Sequence, residues 1–559
     1  MVMTAQVRWG VVGAFLFAVS ALASAQQPPE TTGTPQQKPG EVQKPKPAPP
    51  VLAPEKKPPP AGASEARVTV RRFDFIGNSI YSADQLAPLV ASYTGHPITL
   101  LEVYEAADKI AEFYALHGYT LTSVVPPAQR ITEGVVTLQV IEGRIGRVSL
   151  EGTHWYTTEQ VTPYLGNFEH GQIYRASDLD DGLQRLNRLP GLSAKAVLRP
   201  GDTFGTSDLV IDAAEQPFTA ALIEDNHGRY SLGQYRTSLS AAVNNPFRIE
   251  DQIQALYLHA EANQLNYGFL SYSFPVRYLW LPAGPRLSAA YSQADFTSIG
   301  IGGTSVDGKN KYGRVGLDWP ATITRETQDG LGIAVTRQLS NSDIAGQPLP
   351  GATNLTLLEL SGNYTHNYAS LAASQVSLTA ASNFKRVDKA GCRPSPIDCN
   401  DQMLRVELDA QHLQPLYGRL DGYVHLNGAY SPDPLPPATV YSIGGPTSVR
   451  GYAAAEARGD RGYLASTGLR QSFAAGSALL AARAFIDNGT VAYAAPAPPL
   501  TKERQTLTSA GVGGDLTWKV SLFTLAAKLD CSFPIGAYTP TDPKEDKSTR
   551  LFGSVSVIY

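Results

Sequence analysis

The feature that most constrains the fold is a series of segments in which apolar and polar residues alternate. Residues 218–559 contain many such segments of about ten residues, separated by clusters of Gly, Pro, Asn and Asp. In residues 404–411 every even position is apolar and every odd position is polar or charged. Neighbouring side chains of a β-strand point to opposite faces, so this strand has one apolar and one charged face. Such a strand suits a barrel with lipid outside and water inside, because a soluble sandwich would rarely bury so charged a face.

The number and the ending of these segments also favour a membrane barrel. The segments between turn clusters predict about 16 strands, an even number within the range of bacterial barrels. The same alternation occurs at residues 375–380 and 515–520. In the last segment one face carries apolar residues and an aromatic C-terminus: Leu551, Val555, Val557 and Tyr559. The predicted fold class is therefore a membrane all-β barrel of antiparallel strands, occupying residues 217–559.

A weak repeat precedes the barrel segments. Its two copies align on Gly77 and Gly152, and each glycine follows an alternating strand, at residues 68–76 in the first copy and from Val148 in the second. A capping box is a hydroxyl residue followed three positions later by Gln or Glu, and it marks the start of a helix. Three such boxes occur in the repeat: Ser82 with Gln85, Thr99 with Glu102, and Thr157 with Gln160.

Helices and closing strands complete each copy of the repeat. After Thr99, apolar residues recur at helical spacing. The members of this set are Val103, Ala106, Ala107, Ile110, Ala111 and Tyr114, and the second copy has Leu179, Leu183 and Leu186. Alternating strands follow at residues 135–140 and 207–212. The order β-α-α-β-β occurs twice, which predicts two small α+β domains at residues 67–143 and 144–216.

The N-terminal residues have the character of export and linker sequences. An apolar run at residues 11–23 ends in the small-x-small pattern of a cleavage site. This pattern predicts a secretory signal peptide at residues 1–25, the alternative being a buried N-terminal helix. Residues 26–66 are dominated by Pro, Lys, Gln and Thr. Because such a composition cannot bury a core, we expect a disordered tether there.

Composition and motifs argue against several other functions. The net charge is -4 and the basic residues form no stripe interleaved with aromatic residues, so nucleic-acid binding has little support. The sequence has no G-x-S-x-G, H-E-x-x-H or P-loop motif, and we expect no catalytic residues and no cofactor. Cys392 and Cys399 are close in sequence and fit one short-range disulfide of an exported protein, with Cys531 unpaired. Asp398 alone is too little for a metal site, so no metal is predicted.

One segment is specific enough to indicate a family. Residues 443–452 read Ile-Gly-Gly-Pro-Thr-Ser-Val-Arg-Gly-Tyr. This segment resembles the GG…S-VRGY loop of the outer-membrane transporters of two-partner secretion, also called haemolysin secretion/activation proteins of the ShlB/FhaC/HecB family. The resemblance implies that the soluble repeats are POTRA domains and that this loop follows the eleventh barrel strand and folds into the lumen. It also implies roles there for Val449, Arg450, Gly451 and Tyr452, with Arg450 as the anchor.

A second motif supplies the partner of this loop. The family's F-x-D-x-G strand motif is matched by Phe485, Asp487 and Gly489. Strand geometry puts these residues on one face, which should be the lumen because a charged Asp487 is costly in lipid. We therefore predict a bidentate, partly desolvated Arg450–Asp487 ion pair inside the barrel. Further matches to the family are Asp225, Asn226 and Gly228; Asn245, Pro246 and Asp251; and residues 459–463.

The resemblance implies a transporter in the outer membrane of a Gram-negative bacterium, with its POTRA domains in the periplasm. Its partner would be an unfolded, TpsA-like secreted exoprotein, exported through a monomeric pore embedded in outer-membrane lipid. Two alternatives stay open: a barrel-assembly or lipid-handling relative, which usually carries more POTRA copies, and a passive porin, which needs none. Family members often plug the barrel with an N-terminal helix, but residues 26–66 are too rich in proline for a long helix.

Overall fold

A computed structural model describes residues 67–559 except 167, 277–283, 300–304, 345, 349–352, 385–402, 437–438, 495–502, 539, 541–544 and 546–547. The described chain forms two compact units that divide after Glu215. Residues 1–66, where the signal peptide and the tether are predicted, lie outside the described residues, and so do Cys392 and Cys399. Among the described residues, no helix has both the length and the apolar character needed to cross a bilayer.

The first repeat unit is an α+β domain with a three-stranded sheet. Its strands are β1 Arg67–Thr69, β2 Arg72–Ile76, β3 Pro97–Thr99, β4 Ser123–Val125 and β5 Val135–Ile141; its helices are α1 Ala83–Leu86 and α2 Leu100–Leu116, with a 3-10 helix at Ala87–Tyr93. Strand β5 lies in the middle of the sheet, parallel to β2 and antiparallel to β4. The six residues predicted to form the apolar face of α2 are all buried.

The predicted continuous strand at residues 68–76 is wrong in one respect. The chain bends between β1 and β2, and β1 pairs with β3 instead of extending the main sheet. Two backbone hydrogen bonds hold the bend: Gly95 N donates to Val70 O at 2.8 Å, and Arg71 N donates to Gly134 O at 2.7 Å. Val70 is fully buried, so the bend places one more apolar side chain in the core.

The second repeat unit has the same order of elements, except that it lacks counterparts of β1, β3 and the 3-10 helix among the described residues. It consists of β6 Arg144–Glu151, α3 Thr158–Leu165, α4 Ala176–Leu186, β7 Leu192–Pro200 and β8 Thr206–Glu215. Strand β8 lies between β6, to which it is parallel, and β7, to which it is antiparallel. Of the predicted helix residues, Leu179 and Leu186 are buried and Leu183 is half-buried. All three predicted capping boxes are present.

Gly77 and Gly152 occupy equivalent turns in the two units, and the backbone requires glycine at both. Their φ angles are +84° and +83°, a region that costs other residues free energy. A Cβ on Gly77 would lie 2.3 Å from the carbonyl oxygen of Val140, and a Cβ on Gly152 would lie 2.2 Å from that of Ala213. The first strand therefore turns against the backbone of the last strand in each unit.

A carboxylate at the end of the last strand closes each of these turns. Glu142 accepts hydrogen bonds from the backbone N of Ser79 at 2.7 Å and of Ile80 at 2.8 Å. Glu215 accepts them from three consecutive residues: His154 at 2.8 Å, Trp155 at 2.9 Å and Tyr156 at 2.7 Å. The Tyr114 hydroxyl also donates to Glu142 at 3.0 Å. Burial of Tyr114 raises the pKa of its hydroxyl, and the bond to Glu142 raises it further. The repeat thus extends to a shared acidic residue that the sequence comparison overlooked.

We predict that Gly152→Ala destabilises the second unit more than Gly171→Ala does. Both glycines have positive φ, which costs alanine about 1–2 kcal/mol. Only the Cβ at position 152 would also strike a backbone oxygen, because nothing lies within 4 Å of the Cβ at position 171. The measurement is the urea concentration at which the second unit of the full-length protein becomes sensitive to protease. Equal shifts for the two variants would contradict the steric argument.

The compact unit that follows Glu215 is a closed antiparallel barrel. Its strands are β9 Phe218–Asp225, β10 Arg236–Asn244, β11 Gln252–Ala260, β12 Leu265–Pro275, β13 Arg286–Ile299, β14 Ser305–Ile323, β15 Thr327–Ile344, β17 Thr353–Asn367, β18 Ala373–Asn383, β19 Leu404–Tyr417, β20 Leu420–Tyr430, β23 Arg461–Ala475, β24 Ala478–Ala492, β25 Arg504–Val520, β26 Phe523–Pro534 and β27 Arg550–Ile558. These are 16 strands in the described part of the chain; β16, Gln347–Pro348, is a two-residue extension that pairs with β15. Strand β27 pairs with β9 and closes the ring.

The predicted alternation is present in the barrel wall. On β19, Leu404 and Leu408 are exposed, whereas Arg405 and Glu407 are buried. The apolar side chains of the last strand that were predicted to share a face are also exposed. The barrel therefore has an apolar outer surface and a polar interior, as expected for strands between lipid and a water-filled lumen.

Candidate functional site

The chain between β20 and β23 folds back into the barrel. Strand β20 is the eleventh strand of the ring, as predicted for the strand before this loop. Two short strands, β21 Tyr441–Ile443 and β22 Ala457–Gly459, pair with each other and bring the two legs of the loop together. The residues between them form the part we call the lumen loop, residues 444–456. Arg450 is only 1% exposed there, although arginine is rarely buried unless it is paired.

Arg450 forms a bidentate ion pair with Asp487 on β24. Its Nε donates to Asp487 Oδ2 at 2.8 Å, and its Nη2 donates to Oδ1 at 2.7 Å. The backbone N of Arg450 also donates to Oδ2 at 3.1 Å. Asp487 has no exposed surface. Paired donors that meet both carboxylate oxygens fix orientation as well as distance, so this contact determines where the loop lies.

Two further side chains contact the ion pair closely. The guanidinium carbon of Arg450 lies 3.3 Å from the centre of the Phe485 ring, a cation–π contact. Ser466 Oγ donates to Asp487 Oδ1 at 2.6 Å and accepts from Arg450 Nη2 at 3.1 Å. Sequence reasoning missed Ser466. It lies directly opposite Asp487 in the β23–β24 pairing. Knowledge of the register of these two strands would have identified it as a neighbour of the ion pair.

Glycine at position 489 gives the loop room to approach the wall. A Cβ on Gly489 would lie 3.0 Å from Val449 Cγ2 and 3.1 Å from Ile443 Cδ1. Val449 is fully buried in this contact. The glycine of the F-x-D-x-G motif is therefore needed for space, whereas its Phe and Asp supply the ring and the carboxylate.

The other two predicted loop residues contact the wall on its next strands. Gly451 has φ +96°, and a Cβ on it would be 3.4 Å from side-chain atoms of Ser509, Ser532 and Pro534. The Tyr452 hydroxyl donates to the backbone oxygen of Thr508 at 2.7 Å. The structure thus brings together the seven residues singled out from the sequence: Val449, Arg450, Gly451, Tyr452, Phe485, Asp487 and Gly489. We call these seven residues the lumen lock.

Comparison with known proteins identifies the family. Residues 205–516 match the sequence model of the haemolysin secretion/activation proteins ShlB/FhaC/HecB, more than half of the 559-residue chain. The chain belongs to this family. Residues 68–143 also match the ShlB-type POTRA domain, so the first repeat unit is a POTRA domain.

Individual relatives and a solved structure agree with this assignment. The chain is 23% identical over 411 residues to the outer membrane transporter CdiB of Dickeya dadantii (strain 3937), with 70% of each chain covered. It is 25% identical over 403 residues to the hemolysin transporter protein ShlB of Serratia marcescens, again covering 70% of each chain. CdiB from Escherichia coli has the same fold, with a TM-score of 0.69 at 18% identity over 100% of both chains.

These findings confirm the predicted family, the fold class and the location in the outer membrane of a Gram-negative bacterium, with the POTRA domains in the periplasm. The chain is a transporter of the two-partner secretion type. Because it enters the barrel at Phe218 from the periplasmic side, the odd-numbered strands of the ring run outward. The connections after β9, β20 and β26, the first, eleventh and fifteenth strands, are therefore on the extracellular side.

We predict that Gly511→Ala weakens the lumen lock, whereas Gly514→Ala on the same strand does not. A Cβ on Gly511 would lie 2.5 Å from the Phe485 ring and 2.5 Å from the backbone oxygen of Cys531, so the ring beneath Arg450 would be displaced. The nearest atom to a Cβ on Gly514 is 3.7 Å away. Overpacking of this kind costs about 1–3 kcal/mol.

The measurement is the temperature at which the unboiled protein loses the mobility of the folded barrel on an SDS gel. We expect a lower temperature for Gly511→Ala than for the wild type and for Gly514→Ala. The same temperature for both variants would show that the space at Gly511 does not matter.

Proposed function

We propose that this protein receives an unfolded secreted exoprotein in the periplasm through its POTRA domains and exports it through the barrel to the cell surface. The buried Arg450–Asp487 pair carries the proposal, because it holds a loop inside the conduit that the cargo must use. We assign the chain no catalytic role, since the family to which it belongs is one of transporters. The barrel is closed by the pairing of β27 with β9, so one copy suffices to form a pore in outer-membrane lipid.

The edges of the POTRA sheets suit the capture of an extended chain. In the second unit, β6 and β7 are the outer strands of the sheet, and each pairs with β8 within the described residues. The free edge of an outer strand presents backbone donors and acceptors to any extended segment. Strand addition gives affinity through the backbone and makes little demand on the cargo sequence, as an unfolded substrate requires.

The interior of the barrel suits a polar chain in transit. Inward-facing residues such as Arg405, Glu407, Arg483 and Asp530 form ion pairs with neighbours on the wall. An extended polypeptide carries unsatisfied backbone groups, which a wet polar conduit can solvate and lipid cannot. Because the 559-residue sequence has no P-loop motif, we propose that folding of the cargo outside the cell drives export.

The lumen lock sets the resting position of the loop. Asp487 accepts four hydrogen bonds, three from Arg450 and one from Ser466, which offset the cost of burying its charge. Breaking a buried pair by removing one partner costs about 3–5 kcal/mol, because the remaining charge is left without compensation. The loop therefore shifts only when the cargo or the wall offers other contacts.

We predict that Arg450→Ala and Asp487→Ala sharply reduce export of the secreted partner. Arg450→Lys should also reduce it, because an ammonium group cannot make the bidentate contact. The control is Arg337→Ala, since the Arg337 side chain makes one long 3.4 Å contact with Asn354 at an exposed site. The measurement compares cargo in the medium with cargo in the periplasm, at equal amounts of folded barrel. If Arg450→Ala exports as much cargo as Arg337→Ala, the lumen lock has no role in export.

We also predict that deletion of residues 144–215, the second POTRA unit, abolishes export while the barrel still assembles. The barrel strands form a separate compact unit, so a heat-dependent mobility shift should persist in the deleted protein. The cargo to test is any large secreted protein that is encoded beside this gene. Export at the wild-type level by the deleted protein would rule out reception by this unit and would favour a passive pore.

A further inference from the structure

The pairing of the first and last strands is the shortest between full strands around the described barrel. On β9 it extends from Ala221 to Asp225, whereas the pairing of β26 with β27 extends from Thr524 to Ser532 on β26. A short pairing provides few backbone hydrogen bonds to hold the ring closed. We call the β9–β27 pairing the seam.

The side chain of Asn226 extends the seam beyond the last strand pair. Its Nδ2 donates to the backbone oxygen of Leu551 at 2.9 Å, and its Oδ1 accepts from the backbone N of Gly553 at 2.7 Å. The backbone N of Asn226 also donates to the oxygen of Gly553 at 3.2 Å. The amide side chain thus takes the place of one further peptide group in the ladder, and no hydrocarbon side chain could do so.

The same connection also contacts the lumen loop. Arg229, three residues after Asn226, lies with its Nη2 3.7 Å from Glu456 Oε2, and the side chains are 11% and 2% exposed. Its Nη1 donates to the backbone oxygen of Ala455 at 3.3 Å. Ala455 and Glu456 form the end of the loop that leads to β22, whereas Arg450 is nearer its middle. The loop is therefore held at a second point, away from Asp487.

A third contact ties this connection to the start of the last strand. The backbone N of Tyr230 donates to Glu545 Oε1 at 2.9 Å. Glu545 also forms an ion pair with Arg550, the first residue of β27. The first extracellular connection thus contacts the lumen loop on one side and the last strand on the other.

We propose that Asn226 and Arg229 are positioning residues that couple the lumen loop to the seam. Displacement of the loop toward an open pore pulls on the Arg229–Glu456 pair and so on the connection that begins at Asn226. Conversely, a weakened seam loosens the second anchor of the loop. This inference rests on the proposed function in one respect, namely that the loop shifts during export.

The first test concerns the seam and is independent of export. Asn226→Ala should lower the temperature at which the purified, unboiled barrel loses its folded mobility, because two hydrogen bonds of the seam are removed. The control is Asn354→Ala, since Asn354 is an exposed amide on β17, far from the seam in the strand order. Equal unfolding temperatures for the two variants would overturn the role of Asn226.

The second test concerns the coupling and uses single-channel currents across planar bilayers. Glu456→Arg should increase the fraction of time spent in open states several-fold, and so should Arg229→Glu, whereas the double variant R229E/E456R should return toward the wild-type value. Asp295→Asn is the control, because Asp295 pairs with Lys309 at an exposed site. Open fractions that stay at the control level, or that the charge exchange does not restore, would overturn the coupling.

The coupling also predicts the behaviour of the seam in these variants. Arg229→Glu should lower the unfolding temperature of the barrel, and the charge exchange should raise it again. An unchanged temperature in Arg229→Glu would contradict the coupling even if export proceeds as proposed. Conversely, a wild-type protein that exports no secreted partner would defeat the proposed function while leaving these two measurements on purified protein valid.

Discussion

The buried ion pair between Arg450 and Asp487 is the interaction on which the interior of this barrel depends. Each of these charges loses several kcal/mol of hydration on burial, and their attraction compensates only if the remaining donors and acceptors are satisfied. Ser466, the Phe485 ring and the backbone N of Arg450 meet that condition. Ser466 lies on β23 and both Phe485 and Asp487 lie on β24, so the site exists only when these two adjacent wall strands are in register. Without this pair the loop would lose the contact that fixes where it lies in the lumen.

Space for close backbone approach is the second constraint, and the two compact units meet it in the same way. In the two repeat units, Gly77 and Gly152 let the first strand turn against a carbonyl of the last strand. In the barrel, Gly489 lets Val449 reach the wall and Gly511 leaves room for the ring beneath Arg450. In each case a methyl group would fall within about 3 Å of another atom, which densely packed interiors do not accommodate without displacement.

Sequence patterns predicted those features that depend on local periodicity or on a contiguous motif. Alternation located the barrel wall, and helical spacing identified every buried residue on the apolar face of α2. The strand at residues 68–76 was only partly right, because alternation continues through a bend that tertiary backbone bonds impose. Ser466 and Glu142 were missed, and Asn226 was matched to the family without its role in the seam, because each acts across a strand pairing or a turn whose partner is distant in sequence. Alternation excludes a register slip of one residue but not of two, so it does not identify which residue lies opposite a given one.

A transporter that exports cargo as proposed must keep its barrel closed and yet allow its loop to leave the lumen. If Arg450–Asp487 were the loop's single anchor, each opening of that pair would free the loop. With Arg229–Glu456 as a second anchor, the loop leaves only when both contacts are open, and each 1.4 kcal/mol needed for the second opening lowers the free population about tenfold. Arg229, which forms the second anchor, lies in the connection after β9, and this connection also extends the seam through Asn226. Closure of the resting pore therefore depends on the stability of the seam. A cargo that displaces the loop must do so against the stability of the barrel itself.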